Sequence, residues 1–298
     1  MGIFKLPVDK QGDTYYISDH TDIALGMNAK TSHPEEAKKF LQWMTTPEFA
    51  TLYANALPGF FPLATSVADA EAMLFVCKKA GVRLMTAFPM RFSPPLLEVK
   101  ARLDAGELGT PRCITSSNQG QLPTKHRAWF ADPRFSGGGA LTDHIVHLSD
   151  IFRWYLGTEI TEVYAQSNHI LHKDTVSVET GGMVSLGFED SVFASINCSW
   201  SRPKIWPTWG GLSFELVTDR GVIRVDGFSQ NVECYSDANG AYSLLPWGSD
   251  ANQGMIEEFI ACINENREPS VSGADGLAAV KVIQAAYESA KTGKKVTV

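Results

Sequence analysis

Apolar residues recur at two different periods along this chain, and the change of period predicts which segments are helical and which are extended. Spacings of three and four residues predict helices over 67–80, 95–105, 137–157, 255–264 and 276–292. Alternating or continuously apolar runs predict strands at 82–88, 111–117, 162–167, 180–188, 192–200, 212–218 and 221–225. Shorter strands at 14–17 and 23–27 and two proline-initiated helices are predicted before residue 60.

Two polar turns suggest how the later strands pair. Glu189-Asp190 and Asp219-Arg220-Gly221 each separate two consecutive strand segments, which is typical of antiparallel hairpins. The predicted fold class is therefore α+β: a large, mostly antiparallel sheet with helices on one face, preceded by a small α/β remnant formed by the 67–80 helix and the buried 82–88 strand.

Composition narrows the possible partners. The chain has 298 residues, 44% hydrophobic and 20% charged, with a net charge of -7 and no run of basic residues, so a nucleic-acid partner is not expected. No apolar stretch reaches the roughly 20 residues of a membrane helix and no secretion signal is recognised, so we expect a cytoplasmic protein without a membrane partner. Five scattered cysteines, none in C-x-x-C spacing, predict reduced core residues.

One predicted helix concentrates acid and imidazole groups. Asp143, His144, His147 and Asp150 fall at about 0°, 100°, 40° and 340° around it, so their side chains can converge. Imidazole and carboxylate together suit Zn²⁺ or Mn²⁺, and the predicted ligands are Asp143, His144, His147 and, from the loop that follows, His172. The structural alternatives are a histidine that only packs and an Asp150 that only accepts a hydrogen bond.

Further residues are candidates for substrate contact. His126 lies in a basic loop, and Trp206 and Trp209 lie in a proline-interrupted loop after a strand, where they would form an aromatic wall. The alternatives are a solvated histidine and tryptophans that fill the core. Glu179 is either a general base or, with greater weight, one half of an ion pair on a strand.

From Pro62 onward, several strings resemble the Gfo/Idh/MocA sugar dehydrogenases. They are PLATSVADAEAM, GVRLMTAFPMRFSP, LDAGELGTPR, HRAWFADPRFSGGGALTDHIVHLSDIFRWYLG and GADGLAAVKVIQAAYESAKTGKKV. The resemblance implies a substrate domain in which Asp143 and His147 align with the family's catalytic D-x-x-x-H pair. The family's N-terminal Rossmann domain carries G-x-G-x-x-G, which is not found before the match, and Gly137–Gly139 has the wrong context to replace it.

The resemblance also indicates how the chain is divided. Residues 1–61 resemble the last part of a sugar-binding protein of ABC transporters, residues 62–92 a residual βα unit of a lost Rossmann domain, and residues 93–298 the substrate domain. The arrangement predicts a gene fusion. Phe60-Phe61-Pro62 align with the family's Glu-Lys-Pro motif, so the lysine that acts on the substrate hydroxyl is replaced by a phenyl ring.

With the coenzyme site interpreted as lost, the first hypothesis is a metal-dependent hydrolase of small uncharged esters, lactones or phosphotriesters, with Zn²⁺ or Mn²⁺ bound and NAD(P) not expected. The alternatives are an NAD(P)-dependent sugar oxidoreductase, or a subunit of one, and a non-catalytic sugar-binding module. Because the family packs its open sheet face to face, the resemblance also predicts a homo-oligomer.

Overall fold

The structure is a computed structural model that describes residues 35, 66–125, 128–206, 208–229, 231–236, 241–246 and 250–298. The chain divides into two units, Met1–Pro62 and Leu63–Val298, and all described residues except Glu35 belong to the second. The transporter resemblance of residues 1–61 and the Phe60-Phe61-Pro62 replacement concern residues that, apart from Glu35, the structure does not describe. Both therefore stay predictions.

The elements follow the predicted order closely. The helices are α1 (Val67–Ala80), α2 (Pro94–Asp104), α3 (Pro133–Ser136), α4 (Ala140–Leu156), α5 (Ala251–Asn264) and α6 (Gly273–Thr292). The strands are β1 (Pro111–Gln121), β2 (Ile160–Asn168), β3 (Gly181–Phe188), β4 (Phe193–Arg202), β5 (Gly210–Thr218), β6 (Val222–Asp226), β7 (Asn231–Ser236), β8 (Ala241–Pro246) and β9 (Val296–Thr297). None of the described helices combines the length and apolar character that crossing a bilayer requires.

Seven strands form one sheet in the order β6-β5-β1-β4-β3-β2-β9. Every neighbouring pair is antiparallel except β1 and β4, which run parallel. The two predicted hairpin turns do join antiparallel pairs, β3 to β4 and β5 to β6. The α+β class and the mostly antiparallel sheet are therefore confirmed.

Helix α4 lies against one face of this sheet and forms the centre of the core. Its side chains Leu141, Ile145, Leu148, Ile151 and Phe152 are all fully buried. They recur at helical spacing and pack against alternate residues of the strands, and each such side chain contributes roughly 1.5–3 kcal/mol by leaving water. This packing fixes the orientation of the opposite side of α4, which carries the acid and imidazole groups.

The second face of the sheet is far more exposed. Met183 and Phe193, on β3 and β4, are 50% and 57% exposed, and serine, threonine and asparagine side chains surround them on neighbouring strands. Homo-oligomerisation through this face stays a prediction.

The predicted strand at 82–88 is wrong. Only Met85 forms a β-bridge, with Ser272, and the segment is otherwise tied down by main-chain hydrogen bonds between Thr86 and Val271 and between Gly273 and Leu84. Val82 is 37% exposed, so the segment is not buried either. A short apolar run has the same pattern whether it sits inside a sheet or connects two elements, and only its neighbours decide which it becomes.

The hairpin of β7 and β8 and the short β9 are not among the predicted elements. The sequence does carry a turn signal there, because Asp237-Ala238-Asn239-Gly240, which is rich in turn-forming residue types, separates the two paired strands. Strand β9 has only two residues, and it pairs with β2. Its existence depends on a distant partner strand, so the local sequence carries no signal for it.

Candidate active site

The start of helix α4 is closed by a carboxylate from another part of the chain. Oε1 of Glu179, just before β3, accepts hydrogen bonds from the main-chain N–H groups of Gly139 and Leu141, both at 2.9 Å, and from the Tyr287 hydroxyl at 2.7 Å. A negative charge at a helix N-terminus also interacts favourably with the helix dipole. Glu179 is therefore a helix cap, and neither the general-base nor the ion-pair interpretation holds. The main-chain N–H groups of Gly139, Ala140 and Leu141 are thus all bonded to Glu179, so this N-terminus is not a free phosphate site.

Glycine is required at the two positions before α4 because atoms of Tyr287 and Glu179 lie where a side chain would be. A Cβ on Gly138 would lie 1.7 Å from the Tyr287 hydroxyl, and one on Gly139 would lie 2.1 Å from the carbonyl oxygen of Glu179. We expect Gly139→Ala to lower the free energy of unfolding by about 2 kcal/mol, because main-chain atoms must move and the cap is disturbed. Chemical denaturation measures this. Gly221→Ala, where a Cβ meets nothing within 4 Å, is the matched control and stays close to wild type; an equal loss in both variants contradicts the explanation.

Asp143 is held in place by a buried tryptophan. The indole Nε1 of Trp200 donates a hydrogen bond to Oδ2 of Asp143 at 2.8 Å. Trp200 is fully buried and packs with Ala140, Val176 and Val178 in a small cluster beside the main core. The carboxylate is thus oriented by the sheet, through β4, as well as by its own helix.

The two histidines of α4 are directed to different surroundings. His144 is 1% exposed, with its Nε2 3.7 Å from Oδ2 of Asp143, and its main-chain carbonyl accepts a hydrogen bond from Asn118. The His147 ring stands edge-on to the Phe88 ring, with 6.1 Å between the ring centres. Its Nδ1 is buried and has no hydrogen-bond partner among the described residues, and the same is true of Nε2 of His144. Each imidazole therefore has one buried ring nitrogen without a hydrogen-bond partner among the described residues.

Burial keeps both imidazoles neutral. It lowers the pKa of His147 from 6.5 to about 4, although the nearby Asp143 carboxylate acts in the opposite direction. Burial lowers the pKa of His144 as well, again against the attraction of Asp143. A neutral imidazole has a nitrogen able to accept a proton, which is the form needed for general-base chemistry.

These shifts predict how stability changes with pH. Below pH 6.5 His147 is protonated in the unfolded chain, whereas in the folded chain it stays neutral down to about pH 4. Acidification between these two values therefore lowers the free energy of unfolding, because the unfolded state binds the additional proton. We expect His147→Asn to reduce this acid-induced loss by about 3 kcal/mol. Denaturation of both proteins at a series of pH values measures the difference, and parallel stability curves for the two would contradict it.

The predicted metal site is wrong. No group of three or more histidine, cysteine, aspartate or glutamate side chains within the described part of the chain is arranged to hold an ion. Asp143 is turned to Trp200, and His144 and His147 have separate surroundings. His172 has a left-handed backbone (φ 57°), is exposed, and bonds through Nε2 to the carbonyl of Trp200. The helical angles permit convergence, and His144 does lie 3.7 Å from Asp143, but the described side chains do not form a set of three ligands.

Asp150 is used for structure. Both of its carboxylate oxygens accept from the Arg91 guanidinium, at 2.7 and 2.5 Å, and both side chains are buried. Arg91 also contacts Asp275 at 3.0 Å, so the 3-10 turn Pro89–Phe92 is joined to α4 and α6. The hydrogen-bonded alternative for Asp150 is confirmed. Sequence analysis gave Arg91 no role, because its partner lies 59 residues away and no local pattern links the two.

The aromatic loop lies at the same end of the sheet. The Trp209 and His144 ring centres are 6.4 Å apart, and the Arg202 guanidinium lies 4.0 Å above the Trp206 ring. Both tryptophans are 37% exposed, so neither is a core residue. Substrate contact by Trp206 and Trp209 stays a prediction, and His126 lies outside the described residues.

The chain is similar in sequence and in fold to known proteins. Residues 96–224 match the model of the GFO/IDH/MocA C-terminal domain. D-apiose dehydrogenase of Paraburkholderia graminis is 27% identical over 79% of this chain and 64% of its own length, and D-xylose 1-dehydrogenase (NADP(+)) 2 of Haloferax volcanii is 28% identical over 79% and 70%. The crystal structure of GenD2 from gentamicin A biosynthesis in complex with NAD superposes with a TM-score of 0.70, at 24% identity, over 79% of this chain and 69% of that one.

These relatives overturn the hydrolase hypothesis. They are named as dehydrogenases, so the metal-dependent hydrolysis of esters, lactones or phosphotriesters predicted from the sequence is wrong, as is the expectation of Zn²⁺ or Mn²⁺. The expectation that NAD(P) is not used is contradicted too, because relatives are named for NADP(+) or solved with NAD. The cluster on α4 has the residue types of a metal-ligand set, but its described side chains do not have the geometry of one. Residues 96–224 are therefore similar to the C-terminal domain of the Gfo/Idh/MocA proteins, and the relatives are similar over about four fifths of this chain.

Proposed function

We propose that this chain is an NAD(P)-linked oxidoreductase of aldoses or polyols, and that its described residues form the substrate side of the active site. The observation that carries the proposal is the neutral, half-buried imidazole of His147, which lies one helical turn after a carboxylate fixed by Trp200 and whose buried Nδ1 has no partner among the described residues. The names of the relatives supply the reaction class.

The described residues do not fit a dinucleotide. A pyrophosphate needs free N–H groups at a helix N-terminus, and at most of the longer described helices a capping side chain already accepts a hydrogen bond from at least one of these groups. The occupying residues are Ser66 at α1, Glu179 at α4, Asp250 at α5 and Ser272 with Asp275 at α6. Helix α2 begins with Pro94 and Pro95, which have no N–H. The capped N-termini are therefore poorly suited to hold the pyrophosphate of a dinucleotide.

The chemistry assigned to the described residues is proton transfer. Oxidation of an alcohol releases the hydroxyl proton, and a neutral imidazole at His147 is able to accept it. The Asp143 carboxylate stabilises the resulting imidazolium, as its opposing effect on the His147 pKa indicates. In the reverse direction the same imidazolium returns the proton to the carbonyl oxygen. His144, fully buried beside the same carboxylate, adds to the polar wall of the site.

The proposal is tested with the whole chain. NAD⁺ and NADP⁺ are each offered with a panel of aldoses and polyols, reduction of the nicotinamide is followed by absorbance, and nucleotide binding is measured by calorimetry. We expect binding of one nucleotide and its reduction by at least one compound. Sugar binding with neither nucleotide binding nor turnover would overturn the proposal in favour of a non-catalytic sugar-binding module.

A further inference from the structure

Phe88 packs against the residue assigned as the proton acceptor. Its ring stands edge-on to the His147 imidazole, with 6.1 Å between the ring centres and an angle of 74° between the ring planes. Phe88 is 7% exposed and belongs to a small apolar cluster with Val271 and Ala279. A phenyl ring has no hydrogen-bonding group, so it occupies the space beside the imidazole without giving it a partner or a charge.

The position of Phe88 is fixed by the 3-10 turn that follows it. The main-chain carbonyl of Phe88 accepts a hydrogen bond from the N–H of Arg91 at 3.2 Å. The Arg91 side chain in turn binds Asp150, which lies three residues after His147 on α4. Phe88 and Arg91, three residues apart, thus contact two residues of α4 with the same spacing. The buried ion pair therefore holds the Phe88 ring against the side of the helix that carries the imidazole.

The charged and titratable groups that act on His147 lie on its own helix. The Asp143 carboxylate favours the protonated imidazole and His144 opposes it. Four charged side chains lie further along α4, where they are joined to one another: Arg91 on the turn, Asp150 and Arg153 on α4, and Asp275 on α6. Burial outweighs the attraction of Asp143 and lowers the pKa of His147 to about 4. The Phe88 ring supplies part of that burial.

We propose that Phe88 is a positioning residue of the active site, whose ring keeps water away from the His147 imidazole and so maintains it as a neutral proton acceptor. Water at this side would solvate an imidazolium and make protonation easier. With the ring in place, His147 is able to accept a proton even in mildly acidic solution, where a solvated imidazole is already charged. The inference rests on the proposed function for the role of His147, and it adds a pH range of activity to that function.

The test follows the protonation of His147 by NMR on the whole chain, with histidine labelled at the ring carbon Cε1. The chain has seven histidines, and the signal missing from His147→Asn identifies the relevant one. Wild type should titrate near pH 4. We expect the pKa of His147 to rise by about 1 to 2 pH units in Phe88→Ala, because burial opposes the charge less while Asp143 still favours it. Phe88→Leu, which stays bulky and apolar, should keep the wild-type value.

The same variants should differ in the pH profile of kcat/KM, which reports the pKa of the base in the free enzyme. We expect the wild-type value to hold from about pH 8 to about pH 5, and the Phe88→Ala value to fall about 2- to 10-fold over this range as the imidazole becomes charged. A packing defect alone would lower the rate at every pH and leave the acid limb of the profile in place.

The matched control is Phe92→Ala. Phe92 belongs to the same turn and packs against the same cluster, but it lies beside Gly254 of α5, where an added Cβ would be 3.1 Å from the Phe92 Cβ. The loss of packing is similar, so the pKa of His147 should keep its wild-type value. Circular dichroism establishes that each variant is folded. Phe88→Val, with a smaller rise in the same direction, serves if Phe88→Ala does not fold.

Three results would each overturn the inference: an unchanged pKa of His147 in the folded Phe88 variant, an equal rise in Phe92→Ala, or a wild-type pKa near the ordinary value of about 6.5. The two proposals fail separately, because the NMR titration needs neither nucleotide nor substrate. A raised pKa in Phe88→Ala without any nicotinamide-linked turnover would overturn the oxidoreductase and leave the effect of Phe88 on the imidazole standing. Turnover that depends on His147, with a pKa indifferent to Phe88, would do the reverse.

Discussion

His147→Asn is expected to lower nicotinamide-linked turnover by about 100- to 10,000-fold, because the amide keeps much of the ring's polarity but cannot accept a proton. The half-buried imidazole, with a pKa lowered to about 4, is neutral at physiological pH, and its Nδ1 has no partner among the described residues, so it is able to accept a proton. Steady-state kinetics on wild type and variant measure the effect. The loss should fall mainly on kcat, because the imidazole acts on a proton that moves in the transition state.

The matched control is His169→Asn. His169 follows the end of β2 and does not belong to the helix that carries Asp143 and His147. The same chemical change there should leave kcat and KM near their wild-type values. If His147→Asn retained wild-type kcat while His169→Asn did not, the assignment of the proton acceptor would be wrong.

Arg91→Met is expected to lower the free energy of unfolding by about 3–5 kcal/mol, because it leaves the Asp150 carboxylate buried without its counter-ion. Both oxygens of Asp150 are bound to this one guanidinium, whose bond to Asp275 is lost as well. The turn before α2 would also lose its link to α4 and α6. The deficit should shrink as the pH falls, since protonation removes the uncompensated charge.

Two further variants separate this explanation from a general loss of packing. In Arg91→Met/Asp150→Leu both charges are gone, and most of the stability should return. Arg112→Met removes an exposed arginine whose contact with Asp219 is 3.4 Å, and it should cost at most about 1 kcal/mol. A double variant no more stable than Arg91→Met would show that the cost comes from packing around the turn. Denaturant titrations measure all three.

The elements most clearly encoded in the sequence are those with a strong period of their own. Helix α4 was predicted over 137–157 and spans Ala140–Leu156, because its buried residues repeat at helical spacing and Gly157 ends it in the left-handed conformation. The alternation in β3 and β4 likewise gave strands within two residues of their observed limits. The segment at 82–88 has an apolar run without a strong period, and it was mistaken for a strand.

The candidate site was predicted only in part. The sequence placed Asp143 and His147 one turn apart on a helix, and the resemblance gave them a catalytic role. It did not show that Trp200 holds the carboxylate, a contact that spans 57 residues, or that Glu179 caps the helix. It also suggested a metal where the described structure brings no such ligand set together.

By itself, the sequence determined the fold class and the limits of the main helix, because the 100° rotation per helical residue and the two-residue repeat of a strand produce local patterns of apolar residues. Its motifs also determined the resemblance to sugar dehydrogenases. The tertiary structure alone decided the partner of each polar side chain: Trp200 for Asp143, Arg91 for Asp150, and Trp206 for Arg202. Those pairings depend on which elements the folded chain brings side by side. Burial and neighbouring side chains in the folded protein therefore decide which chemistry is available to the acid and imidazole groups of α4.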